Sequence, residues 1–303
     1  MRVFITGASG FVGSALVPEL LGAGHRVVGL ARSDASAAAL SAAGAEVHSG
    51  SLEDLEALRS GAAACEGVIH LAFIHGTVGF AEAARIDAQA VETIGAALAG
   101  SGRPFVVATG IGVPAARVAV VPESKAPPAA RLAGPRAALR FLDKKVHTTI
   151  VCLPPVTHGR GDTHGFVPRL IAVARDKKVS AFVGDGANRW PAVHVRDAVR
   201  LFHLALERLP AGAAVHAVAD EGIPIGNVAD VIGRHLGVPV ASIPAADAPA
   251  HFGWMGALLA RDSPSSGAVA RELLGWEPTQ PGLMADLEAG HYFQPGPDFR
   301  YGA

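Results

Sequence analysis

Short apolar runs alternate with longer stretches of helical spacing along the first half of the chain. The runs are as short as buried strands and rich in β-branched residues, and they cover residues 3–6, 26–31, 45–48, 68–73, 104–108 and 149–153. Helical spacing covers residues 11–21, 35–43 and 81–99, and Ser51 fits the N-cap of a further helix. Because strands that alternate with helices are joined by right-handed crossovers, the pattern predicts an α/β fold with a doubly wound parallel sheet.

The pattern changes after residue 153, where two prolines interrupt it and turn residues crowd 158–165. A helix is predicted over 195–209, and the remaining chain mixes Pro and Gly turns with short helices over 226–236, 238–243 and 266–274. We therefore predict a first domain of residues 1–155 with roughly 180–218, and a smaller, mostly C-terminal lobe of residues 156–179 and 219–303. Residues 108–135 are predicted to form a loop over the sheet.

Composition and charge exclude several classes of protein. Charged residues make up 17% of the chain and the formal net charge is -1. No long run of one charge is present, so neither a nucleic-acid partner nor a membrane surface is expected. The first apolar run is too short for a secretory signal, and the other runs are shorter than a membrane span. The two cysteines, Cys65 and Cys152, exclude a disulfide scaffold, and we expect a cytoplasmic protein with reduced thiols.

A glycine-rich turn joins the first predicted strand to the first helix. It reads Thr6-Gly-Ala-Ser-Gly-Phe-Val-Gly13. Unpaired N–H groups and a partial positive charge at a helix N-terminus suit a diphosphate. Gly7 allows the sharp turn, Gly10 lets the backbone approach the phosphates, and Gly13 lets the helix pack closely on the strands. Such a turn at the start of a strand–helix–strand unit predicts a dinucleotide site.

Several motifs resemble the atypical and extended short-chain dehydrogenase/reductases, an NAD(P)-dependent epimerase/dehydratase-like family. They are the glycine turn, GHRVVGLAR at 24–32, VIHLA at 68–72, and residues 153–162, 193–197 and 275–278. The resemblance implies a Rossmann-type fold with a substrate-binding C-terminal lobe. It also implies that the dinucleotide contacts the glycine turn, the ends of the third to sixth strands and the residues after them, namely Thr6, Gly7, Ser9, Gly10, Phe11, Val12, Gly13, Ser51, Leu52, Leu71, Ala72, Phe73, Thr109 and Leu153.

The end of the second strand favours NADP(H) as the cofactor. An acidic residue there would accept hydrogen bonds from the ribose 2′-hydroxyl and select NAD. Ala31 occupies the matching position, and Arg32 and Ser33 follow it. A guanidinium can pair with a 2′-phosphate, and a serine hydroxyl can add a hydrogen bond. The alternative is that Arg32 is a solvated charge at a strand end.

The catalytic tyrosine and lysine of the family are missing. No Tyr-x-x-x-Lys occurs, and the two tyrosines, Tyr292 and Tyr301, lie in the last dozen residues. The register of the resemblance puts Arg136 at the tyrosine position. Arginine stays protonated, so Arg136 is expected to hold an anionic substrate or an oxyanion, or else to face solvent. Thr109 lies near the position of the family's hydroxyl, and a structural role is equally consistent with it.

A substitute proton donor is therefore expected after the sixth strand. His158 is the first candidate because histidine titrates near neutrality, and His164 and Asp162 are alternatives. Their spacing does not indicate a metal site. Catalytic residues are thus predicted at Thr109, Arg136 and His158.

Three functions are consistent with these features. The first is an NADPH-dependent reductase of a small carbonyl, enone or imine compound, in which the protein mainly positions the cofactor. The second is a non-catalytic NADP(H) sensor, since the tyrosine and lysine are missing. The third is an epimerase or dehydratase, which needs more acid–base groups than the sequence shows. The partner is a small-molecule substrate, and residues 81–99 either form a homodimer contact or are buried within the monomer.

Overall fold

The computed structural model describes residues 1–117 and 129–294. Residues 118–128 of the predicted 108–135 loop, and Tyr301, lie outside these residues. The ends of that predicted loop are not loop: residues 108–110 belong to the strand Pro104–Gly110, and residues 129–135 belong to a 3-10 helix and the start of an α-helix. In chain order the described strands are β1 (Arg2–Thr6), β2 (Arg26–Ala31), β3 (Glu46–Ser49), β4 (Gly67–His70), β5 (Pro104–Gly110), β6 (His147–Leu153), β7 (Val156–His158), β8 (Ser180–Val183), β9 (Arg189–His194), β10 (Ala214–His216), β11 (Asp220–Pro224) and β12 (Val240–Ile243).

The described α-helices are α1 (Phe11–Gly22), α2 (Asp34–Ala42), α3 (Leu55–Ala63), α4 (Phe80–Leu98), α5 (Ala133–Leu139), α6 (Phe166–Lys177), α7 (Val195–Arg208), α8 (Ile225–Leu236), α9 (Ala248–Phe252), α10 (Gly256–Leu259), α11 (Ala268–Leu274) and α12 (Leu283–Glu288). Short 3-10 helices cover Ala129–Leu132, Gly253–Met255 and His291–Phe293.

The chain divides into two compact units. Unit 1 comprises Met1–Leu153, Val195–Ala217 and Gly267–Pro278, and unit 2 comprises Pro154–His194, Val218–Ser266 and Thr279–Ala303. Residues 180–194, which we predicted in the first domain, fall in unit 2, and 267–278, which we predicted in the lobe, fall in unit 1.

Unit 1 is built on a seven-stranded sheet in the order β10-β6-β5-β4-β1-β2-β3. Every neighbouring pair of strands is parallel. The strand order reverses direction between β1 and β4, and sheets of this kind bind ligands at the carboxyl ends of the strands beside that point. The predicted α/β fold with a parallel sheet of Rossmann type is thereby confirmed.

The register of the sheet brings polar residues to this carboxyl edge. Thr6 at the end of β1 pairs with His70 at the end of β4. Thr109 near the end of β5 pairs with Cys152, and Gly110 pairs with Leu153 at the end of β6. The predicted strand 68–73 ends at His70, so Leu71, Ala72 and Phe73 belong to the segment that follows it.

One face of this sheet is covered by α3, α4 and α5. Their apolar side chains form a core with the sheet residues Phe4, Phe105 and Val107. In α4, buried residues recur every three to four positions, the spacing of one helix face. The apolar face of the predicted 81–99 helix is therefore packed within unit 1.

Unit 2 has two small sheets, in the orders β11-β9-β7 and β12-β8, and its core lies among α6, α8 and their neighbours. The sequence pattern missed most of these strands, which are three to six residues long. The predicted short helix over 238–243 is wrong, since residues 240–243 form β12, paired in parallel with β8.

Within the described residues, no helix combines the length and the hydropathy that crossing a membrane would require.

Candidate functional site

The glycine turn leaves the N-terminus of α1 without a side-chain cap. Gly7 has a φ of +71°, and its carbonyl accepts a hydrogen bond of 3.0 Å from the Gly10 amide. Gly10 is the extended N-cap of α1, no side chain accepts from the first amides, and the first turn holds no acidic residue. The N–H groups of Phe11, Val12 and Gly13 are thus not satisfied by side chains of the helix itself, which suits an external anion.

The same turn has no room for larger side chains. A Cβ on Gly7 would lie 2.8 Å from the Ala72 amide nitrogen. A Cβ on Gly13 would lie 2.6 Å from Ala8 Cα and closer still to the Gly7 carbonyl oxygen. Ser9 and Gly10 are exposed at the tip of the turn. This closely packed cradle with exposed backbone fits a dinucleotide diphosphate.

Two residues follow β2 at the position predicted to recognise the ribose. Arg32 is exposed, and Ala31 before it is buried. The Ser33 hydroxyl caps α2 in a reciprocal arrangement with Ser36, whose backbone amide lies 3.3 Å from it. The Ser33 hydroxyl already accepts a hydrogen bond in this cap, whereas the side chain of Arg32 is exposed and could pair with an added phosphate.

The residues predicted beside the adenine lie in the segment after β3. The Ser51 hydroxyl accepts a hydrogen bond of 3.2 Å from the Glu53 amide, and Leu52 is buried. Ser51 is not the helix cap that we predicted. The carboxylate of Asp54 caps α3 instead, accepting from the Ala57 amide at 3.0 Å.

A buried polar chain connects β1, β4 and α4 beneath the site. The Ala72 amide donates to the Thr6 hydroxyl at 3.4 Å, and that hydroxyl lies 2.9 Å from His70 Nδ1. The other ring nitrogen of His70 lies 3.2 Å from the Asp87 carboxylate. A carboxylate accepts, so Nε2 of His70 donates to Asp87; in the neutral ring Nδ1 then accepts from the Thr6 hydroxyl, and the chain has one direction. It holds the 71–73 segment against the end of β1.

Arg131 extends this chain toward Phe73. One guanidinium nitrogen lies 3.6 Å from the Asp87 carboxylate, and the guanidinium carbon lies 3.6 Å from the centre of the Phe73 ring. Burial lowers the pKa of Arg131, and the nearby Asp87 opposes this shift. Sequence analysis assigned no role to His70, Asp87 or Arg131. His70 stands within the VIHLA motif, but nothing in the sequence indicated its two partners.

Thr109 carries an unsatisfied hydroxyl at the carboxyl edge of the sheet. The residue is 2% exposed, and its Oγ1 has no hydrogen-bond partner among the described residues. An unpaired buried hydroxyl costs free energy, so it either awaits a partner or is a strained structural feature. Arg136 is half-buried on α5, and Arg140, one turn later, pairs with Glu92 at 3.7 Å on the surface.

His158 lies in the interior of unit 2. It is 0% exposed, its Nδ1 donates to the Asp286 carboxylate at 2.8 Å, and its Nε2 has no partner among the described residues. Burial alone would raise the pKa of Asp286, but the bond from His158 and the charges of nearby histidines lower it. His158 is further packed edge-on against His194. A ring without exposed surface reaches an external molecule only if its surroundings move.

The other candidate acids of unit 2 are engaged in structure. Asp162 accepts from the Gly165 amide at 2.8 Å, and burial raises the pKa of Asp162 to about 6. The Tyr292 hydroxyl accepts from the Gly159 amide at 2.9 Å, and burial raises the pKa of Tyr292 well above its usual value. His164 is exposed and contacts the Thr163 hydroxyl. The Tyr292 hydroxyl also lies 3.4 Å from the Asp162 carboxylate, so it is engaged within unit 2.

Comparison with known proteins gives a family and full-length relatives. The model of the NAD dependent epimerase/dehydratase family matches residues 3–105 and 126–218. The uncharacterized protein C2A9.02 of Schizosaccharomyces pombe is 46% identical over 97% of this chain and 100% of its own length. The uncharacterized protein YLL056C of Saccharomyces cerevisiae is 43% identical over 96% of this chain and 99% of its own length. A 4-hydroxy-2-methyl-3-oxo-4-farnesyl-3,4-dihydroquinoline-1-oxide ketoreductase of Stigmatella aurantiaca is 30% identical over 96% of this chain and 92% of its own.

Solved structures share the fold. MoeE5 in complex with UDP-glucose and NAD has a TM-score of 0.72 and 23% identity, covering 97% of this chain and 98% of its own. The UDP-glucuronic acid 4-epimerase of Bacillus cereus in complex with UDP-glucuronic acid and NAD has a TM-score of 0.74 and 19% identity, over 97% of this chain and 98% of its own. With the matched motifs and the parallel sheet, these comparisons show that the chain belongs to the NAD dependent epimerase/dehydratase family.

Proposed function

We propose that this protein is an NADP(H)-dependent oxidoreductase that reduces a small carbonyl, enone or imine compound. The observation that carries the proposal is the uncapped N-terminus of α1, held by Gly7, Gly10 and Gly13 so closely that a Cβ at Gly7 or Gly13 would meet backbone. Structures of the same fold were solved with NAD, and the Stigmatella relative is a ketoreductase by name. These findings support a nicotinamide dinucleotide at the turn.

Residues of unit 1 would hold the cofactor along the carboxyl edge of the sheet. The amides of Phe11, Val12 and Gly13 would bind the diphosphate. The Thr6–His70–Asp87 chain would fix the position of Leu71, Ala72 and Phe73 beside the ribose and nicotinamide. The bound reduced cofactor supplies a hydride, and the protein supplies its orientation.

Arg32 would select the phosphorylated form of the cofactor. Its exposed guanidinium follows the strand end where NAD-selective relatives of the fold carry an acid, and a bidentate pair with a 2′-phosphate is a strong charge-assisted contact. The Ser33 hydroxyl accepts within its helix cap and could still donate one neutral hydrogen bond, whereas Arg32 brings a positive charge and would therefore carry most of this selectivity.

Thr109 would bind the oxygen or nitrogen atom that receives charge during reduction. Its buried hydroxyl has no partner among the described residues and lies at the carboxyl edge of the sheet, where the substrate would meet the nicotinamide. Because this oxygen is as buried as Nε2 of His158, its use would require the residues around it to move when the substrate binds. A hydrogen-bond donor preset at this place lowers the barrier because it needs no reorganisation. The compensating proton would come from water, since Nδ1 of His158 is bonded to Asp286 and the Tyr292 hydroxyl is engaged with both Gly159 and Asp162.

The first experiment measures binding of NADPH and NADH to wild type and to Arg32→Ala. We expect a loss of NADPH affinity of about 10-fold or more, equivalent to about 1.4 kcal/mol, with NADH affinity little changed. Arg26→Ala is the matched control, because Arg26 is an exposed arginine at the opposite end of the same strand. Equal losses for both cofactors in Arg32→Ala would refute the assignment of the phosphate to Arg32.

The second experiment separates reduction from the other two functions. The purified protein is incubated with NADPH and a panel of carbonyl, enone and imine compounds while absorbance of the reduced nicotinamide is followed. Net consumption with at least one compound supports a reductase. An epimerase or dehydratase would convert its substrate with no net oxidation of the cofactor. Saturable NADPH binding with no conversion of any compound would favour the sensor.

A further inference from the structure

A cluster of two histidines and two glutamates lies in unit 1, away from the glycine turn. His25 directly precedes β2, so it lies at the amino-terminal edge of the sheet, and Glu19 stands near the end of α1. His203 and Glu207 are four residues apart on α7, a spacing that puts both on one face of the helix. None of these residues has a part in the proposed reductase site.

The distances within the cluster are those of a metal site. Glu207 Oε1 lies 3.2 Å from His25 Nε2 and 3.5 Å from His203 Nε2. One donor atom from each of the three residues lies within 4.8 Å of the others. In a tetrahedral zinc site with bonds of about 2.0–2.1 Å, donor atoms are about 3.4 Å apart. A metal ion can therefore be reached by all three residues with small side-chain rotations.

We propose that His25, His203 and Glu207 bind a divalent transition-metal ion of the zinc class. Two imidazole nitrogens with one carboxylate oxygen favour zinc and its neighbours over magnesium and calcium, which prefer oxygen donors. Three protein ligands leave a fourth position open. Glu207 has a side chain that is 33% exposed, so water has access to that position.

Glu19 acts behind this site as a positioning residue. Its Oε1 lies 3.0 Å from His203 Nδ1 and accepts from that nitrogen, so the ring would bind the metal through Nε2, the nitrogen on the Glu207 side. A carboxylate on the far nitrogen of a ligating histidine is the usual outer partner in zinc sites. Nε2 of His25 already faces Glu207, and its Nδ1 lies 3.4 Å from the Met1 ammonium, a contact that must yield when Nε2 binds metal and Nδ1 carries the proton.

The site would join three elements of unit 1 at the end of α1 that is remote from the dinucleotide turn. Phe11 and Glu19 are separated by eight residues of helix, or about 12 Å. The metal would link α1, through Glu19, with the start of β2 and with α7. Its effect is therefore expected on the stability of unit 1 and not on nucleotide binding.

The test is titration of the full-length, metal-free protein with Zn²⁺ by calorimetry, together with thermal unfolding. We expect one saturable site, a higher midpoint of unfolding with Zn²⁺, and no such rise with Mg²⁺ or Ca²⁺. His203→Gln should weaken this site at least 100-fold, and Glu19→Ala about 10-fold to 100-fold, the usual effect of losing an outer partner. Visible absorption of bound Co²⁺ should show the intense bands of tetrahedral coordination.

Matched variants separate this cluster from the other histidines of the chain. His48→Gln removes a half-buried histidine of unit 1 that bonds to the Ala57 carbonyl, and it should bind Zn²⁺ as wild type does. If His203→Gln does not fold, the partly exposed Glu207→Gln serves in its place. Absence of saturable Zn²⁺ binding by the wild type, or equal binding by wild type and the cluster variants, would overturn the proposal.

Discussion

Replacing Gly13 by alanine tests the packing on which the dinucleotide site depends. An added Cβ would lie 2.6 Å from Ala8 Cα, whereas carbon atoms in contact are normally about 3.5–4.0 Å apart. The neighbouring atoms belong to the backbone of the turn, so no flexible side chain can move aside. Helix α1 must therefore shift from the end of β1 by about 1 Å.

The expected free energies follow from a matched pair of glycines in α1. Gly22 ends the helix, and a Cβ there would meet nothing within 4 Å. Alanine is favoured over glycine in a helix by up to about 1 kcal/mol, so Gly22→Ala should be neutral to stabilising. Gly13→Ala gains the same helix preference but carries an overpacking cost of about 1–3 kcal/mol. We therefore expect Gly13→Ala to be less stable than Gly22→Ala by about 1–3 kcal/mol, and less stable than wild type by up to about 2 kcal/mol if the full helix preference is gained.

The assay is urea unfolding of wild type and both variants, with NADPH affinity measured on the folded proteins. A shift of the first amides of α1 misaligns them with the diphosphate, so Gly13→Ala should lose at least about 10-fold in affinity, about 1.4 kcal/mol, and Gly22→Ala almost none. Gly13→Ala with the stability and affinity of Gly22→Ala would show that the close approach of α1 to β1 is not what forms the site.

Three further predictions concern buried groups. Burial raises the pKa of Asp162 to about 6, so wild type should lose about 3 kcal/mol of stability as pH rises from about 4 to about 6. Asp162→Asn should abolish this pH dependence in unfolding curves. An equal slope of stability against pH in both proteins would refute the prediction. Burial raises the pKa of Cys152 to about 12, and it also raises the pKa of Cys65. A thiol reagent should therefore modify neither cysteine in the native protein and both after unfolding. Rapid labelling of the native protein would contradict this. His158→Ala should lower the free energy of unfolding by about 1.5–3 kcal/mol because Asp286 loses a hydrogen bond to its carboxylate. Turnover per folded molecule should persist. Loss of turnover in the folded variant would identify the ring as a proton donor.

The sequence predicted those features that depend on neighbouring residues. Most strands and helices of unit 1 were found because each carries its own apolar spacing, and the glycine turn because its residues are contiguous. The three-residue strand β10 was missed, and α5 begins within the predicted 108–135 loop. Positions 51 and 54 show the limit of local reasoning. Ser51 and Asp54 are both residue types that cap helices. The Ser51 hydroxyl accepts from the Glu53 amide, two residues ahead, and this local turn competes with capping. The helix start was therefore misplaced by three residues.

Features that depend on tertiary packing were not predictable. Asp87 meets Arg131 only because α4 packs beside the 3-10 turn that precedes α5. His25 and Glu207 are separated by 182 positions and meet at the edge of the sheet. In unit 2, strands of three to six residues are too short for a periodic signal, and β9 contains a proline.

The sequence has no Tyr-x-x-x-Lys pair, so the proposed reduction needs another way to stabilise the developing charge and to supply a proton. Arginine is a poor proton donor, and the Tyr292 hydroxyl is engaged with Gly159 and Asp162, so we assign the proton to neither Arg136 nor Tyr292. Hydride transfer does not require a fixed acid if the developing charge is held by a preset donor and protonation follows from water. We propose that the Thr109 hydroxyl, which has no partner among the described residues, is this donor, and replacing Thr109 by valine removes the hydroxyl at nearly constant shape. Thr109→Val should therefore lower kcat by about 10²–10³-fold with NADPH affinity unchanged, as loss of one such donor does in other enzymes. Unchanged kcat in the variant would leave Thr109 a structural residue of β5.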